Sequence, residues 1–405
     1  MMWQIYKLAI LTYFILLCTI ILIVPPYGDP AIVIWTSKVM SITGFSYDPV
    51  CSKNIMSMSN SHEILLCVRS PLYYLLLAIA DGFYKIIPLA LATLFFGLQI
   101  ILARLNGSSL NVFGLMFPSI YLLFSRTYVD TLTTTLMTSL LIILMKINKE
   151  NRIHHKALLF SIPLLLMLAR ESFVALPLFL IIIFLIVPKL GKKNLLIVFT
   201  GWVVGVVSWQ LYVVTSGGVS YSDFQPHIPT LGETYRAFMT TITPILPWEI
   251  RSEDIQAYLN ISLADSFILL VITIVHFLGL IAVLPLIISL AHFKQISKLV
   301  LGQAVFGLLM SAGLLLLKGE IDFFRHLAYL LPVIPLLIEI GLRGIQRHSR
   351  LTANLIRVSY VLMFTLYFVR AIRLYTSGYS FDPCQYLLKR PEISSISYFY
   401  ETACS

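Results

Sequence analysis

The chain has 405 residues, of which 58% are hydrophobic and 12% charged, with a formal net charge of +10. Soluble domains carry about 25% charged residues, so the composition excludes an ordinary soluble globule and points to a polytopic membrane protein. In that setting the basic excess is a topology signal rather than a nucleic-acid footprint, because Lys and Arg mark cytoplasmic loops.

The predicted fold class is all-α, a polytopic transmembrane helical bundle of about 11 spans. The spans are about 8–25, 86–104, 109–125, 131–146, 157–169, 173–187, 195–213, 265–290, 299–317, 327–342 and 352–370. Lys7 precedes the first run, "LAILTYFILLCTIILIV", but no small-residue cleavage site follows it, so it reads as a retained span and not a signal peptide. With the N-terminus inside, the short loops "MKINKENRIHHK", "PKLGKKN", "HFKQISK" and "RGIQRHSR" all fall on the cytoplasmic side. That side then carries +13 and the other −3. The expected domains are a transmembrane domain over 1–370, with outer loops 26–85 and 214–264, and a short outer tail over 371–405.

The segment "RSPLYYLLLAIADG" tests this arrangement. Its apolar run, Pro71 to Ala80, makes a helix about 15 Å long, half of a hydrocarbon core about 30 Å thick. If it crossed, every later basic loop would face outward. It is therefore expected to lie at the outer surface as a short helix over 70–84, with Ser70 as N-cap, Pro71 at the first helical position and Gly82 as the stop. Cys18 lies within a span, while Cys51, Cys67, Cys384 and Cys404 all fall on the outer side. Four outer cysteines fit an oxidising compartment. The local pairs 51–67 and 384–404 are the expected disulfides, and free thiols are the alternative.

No cytoplasmic loop has room for a nucleotide-binding domain, and no phosphate-binding glycine loop occurs. The acids gather outside, so any reaction is expected at the outer membrane–water boundary, where a group donor is most simply a lipid. Ionisable residues stand at span ends on that side: Asp29, Asp48, Arg69, Arg126, Asp130, Arg170, Glu171, Lys318, Glu320, Asp322 and Arg325. Charges at membrane depth are functional candidates by default. A carboxylate can act as a general base, and arginines can hold a phosphate through forked hydrogen bonds. Each also has a plain structural reading. Asp29 and Asp48 each precede a proline and can cap turns. Arg69 can pair with Glu63, Asp130 can be the N-cap of the fourth span, and Arg170–Glu171 can be an ion pair at a turn. Glu339 and Arg343, four apart, read as a helical pair. His154–His155 reads as a solvated loop. No metal-ligand spacing is present, which assigns no metal and leaves a divalent cation open as a cofactor.

The order of these pieces resembles the membrane-embedded glycosyltransferases of the GT-C fold, such as protein O-mannosyltransferases and lipid A aminoarabinose transferases. "GDPA" with Asp29 resembles the family's acid after the first span, and "RSPLYYLLLAI" its Arg-Pro-Pro-Leu-like surface helix, here with Ser70 in place of the first proline. "FPSIYLLFSRTYVDTL" carries Asp130, "PLLLMLARESFVALPLFL" carries Arg170 and Glu171, and "FFRHLAYLLPVIPLLI" carries Arg325, His326, Tyr329 and Pro332. The family's Asp-Glu pair is reduced to Asp29-Pro30, and only the short tail follows the last span.

The resemblance implies sugar transfer from a polyprenyl-phosphate carrier to an acceptor hydroxyl on a glycan, lipid or protein, at the periplasmic or lumenal face. It implies Asp29 as the base and Arg69, Arg170 and Arg325 as holders of the lipid phosphate. Asp48, Asp130, Glu171, His326 and Tyr329 complete the expected substrate site. The expected location is a bacterial inner membrane with the N-terminus inside and the C-terminus outside, or else the ER membrane. Membrane lipids are the other expected partners, and nucleic acid is not one. The rival readings are an O-antigen-type glycan polymerase, a lipid or solute transporter, and a structural subunit of an envelope complex.

Overall fold

The structure is a computed structural model of the whole chain, and it describes residues 2–24, 33–34, 37, 70–80, 83–126, 128–147, 152–216, 230, 263–318 and 327–376. Asp29, Asp48, Arg69, Arg325, His326, Cys51, Cys67, Cys384 and Cys404 lie outside these residues, as do Gly82, the loop 214–264 beyond Ser216 and Thr230, and the tail after Thr376. Cys18, the cysteine that is described, is a free thiol.

The described residues form helices and turns without strands. In chain order the helices are α1 (Met2–Ile23), α2 (Leu72–Ala80), α3 (Ile86–Leu105), α4 (Val112–Leu115), α5 (Pro118–Ser125), α6 (Asp130–Ile147), α7 (Ile153–Ala169), α8 (Leu176–Ile186), α9 (Lys192–Thr215), α10 (Leu263–Ala291), α11 (Lys298–Lys318), α12 (Ile334–His348) and α13 (Arg350–Thr376). Among the described residues four stretches are long and apolar enough to cross a membrane: Ile86–Leu105, Asp130–Ile147, Lys192–Thr215 and Arg350–Arg373. Shorter apolar helices accompany them, including Lys7–Ile23 and Ile153–Ala169. Of the about eleven expected spans, four are shown at full length among the described residues. Long helices such as α9 present Val207, Leu211 and Val214 outward, exposed. An apolar face of that kind is matched to lipid.

Two predicted spans are not continuous helices. In 109–125, α4 stops at Met116 and α5 begins at Pro118. Proline has no N–H to continue the ladder but suits a first helical position. In 327–342 a 3₁₀ turn at Leu327–Tyr329 and further turns precede α12, which starts only at Ile334. Pro332 and Pro335 account for the late start. Broken helix strands backbone carbonyls in an apolar setting, where each needs a partner. Gln303 Nε2 donates to the Tyr329 carbonyl at 2.6 Å, and Gln99 Nε2 to the Pro332 carbonyl at 2.9 Å.

The chain divides into two compact units. The first comprises Met1–Ile23, Gln99–Ser125 and Gln225–Arg373. Tyr13, Tyr121, Phe364 and Tyr367 form its aromatic centre, with ring centroids about 5 Å apart. Two of the buried phenols there are bonded: Tyr13 Oη donates to the Leu115 carbonyl at 2.6 Å, and Tyr367 Oη lies 2.6 Å from Ser125 Oγ. Gly341 of α12 meets α10 so closely that an added Cβ would lie 1.9 Å from the Pro285 carbonyl oxygen. Small residues permit this approach of helix backbones. Glu339 and Arg343 form the expected pair at 2.5 Å, and Asn111 also donates to Glu339.

The second unit comprises Val24–Leu98, Arg126–Phe224 and Leu374–Ser405. Here α9 packs on α7 through Gly201 and Gly205, whose added Cβ atoms would meet Phe160 O at 2.1 Å and Met167 Cβ at 2.9 Å. His154 and His155 are not in a solvated loop. They sit in the first turn of α7, and His155 is buried.

Candidate functional site

The second unit gathers four ionisable side chains around one end of α6 and α7. Arg126 and Asp130 flank the short turn that leads into α6, where the Tyr128 amide donates to the Arg126 carbonyl at 2.9 Å. Arg170 and Glu171 follow α7. Arg170 is in extended backbone (φ −154°), its amide closing the last turn of α7 on the Leu166 carbonyl at 2.9 Å. Its own carbonyl accepts the Phe173 amide at 3.1 Å, opening the 3₁₀ turn Glu171–Ala175. The backbone on both sides of Arg170 is thereby held.

The Arg170 guanidinium pairs with the Asp130 carboxylate. All four residues are buried, with relative exposures of 2% for Arg126, 0% for Asp130, 2% for Arg170 and 5% for Glu171. The ion pair shown at this turn therefore joins Arg170 to α6, 40 positions away in the chain. Asp130 is the first residue of its helix. Two cations and two carboxylates leave the cluster formally neutral, while the low-dielectric surroundings strengthen each interaction.

The short helix joins this corner. α2 is present, as predicted, but Ser70 does not cap it. Ser70 Oγ donates instead to the Met167 carbonyl at 2.8 Å, three residues before Arg170. The Pro71 carbonyl accepts the first helical bond, from the Leu75 amide at 3.0 Å. Tyr73 is fully buried beside Thr131, and burial raises its phenol pKa, with a smaller downward pull from the Thr131 hydroxyl. Trp202 of α9 closes the other side, its indole N–H donating to the Phe173 carbonyl at 3.0 Å. Lys85 donates to the Val24 carbonyl, and burial pushes its pKa down to about 8.

Of the predicted site residues that are described, Asp130, Arg170 and Glu171 come together. Tyr329 belongs to the first unit, where it is buried against Phe306 with rings 6.2 Å apart. Tyr73 was not singled out from the sequence. Its signal is a tyrosine on a helix too short to span, four residues after Arg69. No group of three or more His, Cys, Asp or Glu able to hold a metal occurs among the described residues.

What fold and cluster define is a class: an all-helical protein with membrane-length apolar helices and buried charges of both signs at one helix end. No protein-family model, curated protein or solved structure matches the chain.

Proposed function

We propose that the protein is an integral membrane glycosyltransferase of the GT-C type. It moves a sugar from a polyprenyl-phosphate carrier to an acceptor hydroxyl at the outer face of the membrane. The observation that supports this reading best is the buried Asp130–Arg170 pair, with Glu171 and Arg126 beside it and the Ser70 end of the short helix fastened alongside. Arg69 immediately precedes Ser70 in the chain. In the reaction the acceptor oxygen attacks the anomeric carbon, its proton passes to Asp29, and the bond from that carbon to the phosphate oxygen breaks. Negative charge grows on the departing lipid phosphate. Arg69 and Arg170 hold it, and fixed cations in a water-poor site lower that barrier. Asp130 acts as a positioning residue that aims Arg170.

The test is deletion of the gene, with mass spectrometry of envelope glycans and lipid-linked sugars. Wild type and Asp29→Asn are then returned at matched protein levels. The expected result is loss of one sugar, accumulation of its polyprenyl-phosphate donor, and rescue by wild type only. Unchanged glycans and lipid-linked sugars while the protein is made would overturn the reading. Full rescue by Asp29→Asn would overturn the assignment of the base.

A further inference from the structure

A second site lies at the opposite end of the second unit's helices from Arg170 and Glu171. There the chain turns from α8 into α9 through Pro188–Leu190 and Gly191. Gly191 holds φ at +81°, a left-handed conformation that disfavours any side chain. Asn194 locks the turn by donating from Nδ2 to the Leu190 carbonyl at 2.9 Å. The two helices leave an open groove of about 310 Å³ between them. Leu180, Ile181 and Phe184 line one wall, Leu196 and Phe199 the other, and Lys192 stands at the end beside the turn. From Lys192 to Phe199 the groove runs about 10 Å along α9. Leu196 and Ile181 are more than half exposed, so the walls face outward.

Charge decides what fits. Lys192 and Lys193 are both exposed, and the chain holds no Asp or Glu between Glu171 and Asp223. An apolar trough with cations at one end matches a molecule that is anionic at one end and hydrocarbon for the rest. We propose that this groove binds an anionic phospholipid of the surrounding bilayer. Its phosphate sits on Lys192, and one acyl chain lies along Leu196, Phe199, Ile181 and Phe184. The lipid belongs to the leaflet opposite the Arg170–Asp130 pair, so the site is separate from the proposed transfer chemistry and does not depend on it.

The test uses the full chain in nanodiscs of equal phosphatidylglycerol and phosphatidylcholine, released into detergent and weighed by native mass spectrometry. Wild type is expected to retain phosphatidylglycerol preferentially. One lysine beside an anionic headgroup is worth about fivefold in that preference, so Lys192→Gln should lower it about fivefold. Lys298→Gln, which removes an exposed lysine at another turn, should leave it unchanged. Leu196→Trp fills the trough from an exposed position and should reduce retention of both lipids without unfolding the protein. The proposal is overturned if wild type shows no anionic preference or if Lys192→Gln keeps it. It is equally overturned if Lys298→Gln loses as much, if Leu196→Trp retains lipid as wild type does, or if the species observed is a lipid-free dimer.

Discussion

Replacing Asp130 by Asn removes one charge of the buried pair and leaves the shape almost unchanged. The Arg170 guanidinium stays charged at every accessible pH, and it belongs to a buried residue whose backbone is held by Leu166 on one side and Phe173 on the other. With the pair's side chains only 3% and 0% exposed, water cannot replace the lost carboxylate. Removing one partner of such a pair costs about 3–5 kcal/mol, a large part of a total stability of about 5–15 kcal/mol. Arg343→Gln breaks a pair whose arginine is 46% exposed and whose carboxylate keeps the Asn111 donor, so it should cost less than Asp130→Asn. The assay is unfolding of the purified protein in mixed micelles, followed by tryptophan fluorescence. A second variant, Asp130→Leu with Arg170→Met, removes both charges and should recover most of the loss. It should still fail to restore the missing sugar, since removing a preorganised charge-stabilising group lowers turnover by about 10²–10³. An Asp130→Asn protein as stable as wild type would refute the burial argument. An active double variant would refute the role of Arg170 in holding phosphate.

Glycine substitutions should divide by sign. Gly341→Ala drives a methyl group to 1.9 Å from the Pro285 carbonyl oxygen, a backbone atom that cannot swing away, and should lower stability by about 1–3 kcal/mol or more in the same unfolding assay. Gly97→Ala, inside α3 with nothing within 4 Å, should raise it by about 0.5–1 kcal/mol. Lys85 gives a pH dependence. Its folded pKa of about 8 lies below its ordinary 10.5, so the unfolded chain binds more protons between those values and stability rises with pH across that window. The gain is at most about 3 kcal/mol before solvent screening, and Lys85→Met should abolish that slope. Ser70→Ala removes the bond to the Met167 carbonyl and should cost about 1 kcal/mol. Hydrogen exchange should speed up over 72–80 while α9 keeps its protection.

Long apolar runs were legible in the sequence because helix and lipid make the same demand on composition. Thus α6, α9, α10 and α11 lie within a few residues of 131–146, 195–213, 265–290 and 299–317. Reading failed at Pro118 and at Pro332, where the helix breaks, whereas α7 and α10 run on through Pro163 and Pro285. Hydropathy does not register the missing N–H of Pro118, and it cannot anticipate that Gln99 and Gln303, far off in the chain, would supply donors for the broken stretch at 329–332. The charged corner was legible in part for a related reason. A charge at the end of an apolar run is conspicuous, which singled out Asp130, Arg170 and Glu171. Which charges meet is a tertiary fact, and a caps-and-turns reading assigned Asp130 and Ser70 to their own helices. Both side chains reach across to α7 or the residue that ends it.

The two ways in which α7 meets its neighbours bear on what the charged corner is for. Against α9 it packs through Gly201 and Gly205, where bare backbone lets the helices close to van der Waals contact with no charge involved. Against α6 it ends on a salt bridge. As a means of joining helices the second is inferior, because desolvating two ions consumes most of what their attraction returns, and well-packed apolar residues of similar volume often do as well or better. What a buried pair supplies that a glycine contact cannot is a cation held in one orientation. Arg170 is constrained by its own backbone bonds, by the Asp130 carboxylate, and by a corner closed by Ser70 on one side and Trp202 on the other. Constraint of that degree is superfluous for cohesion between two helices. It suits the transfer proposed above, in which a charge must already be in place as a phosphate leaves.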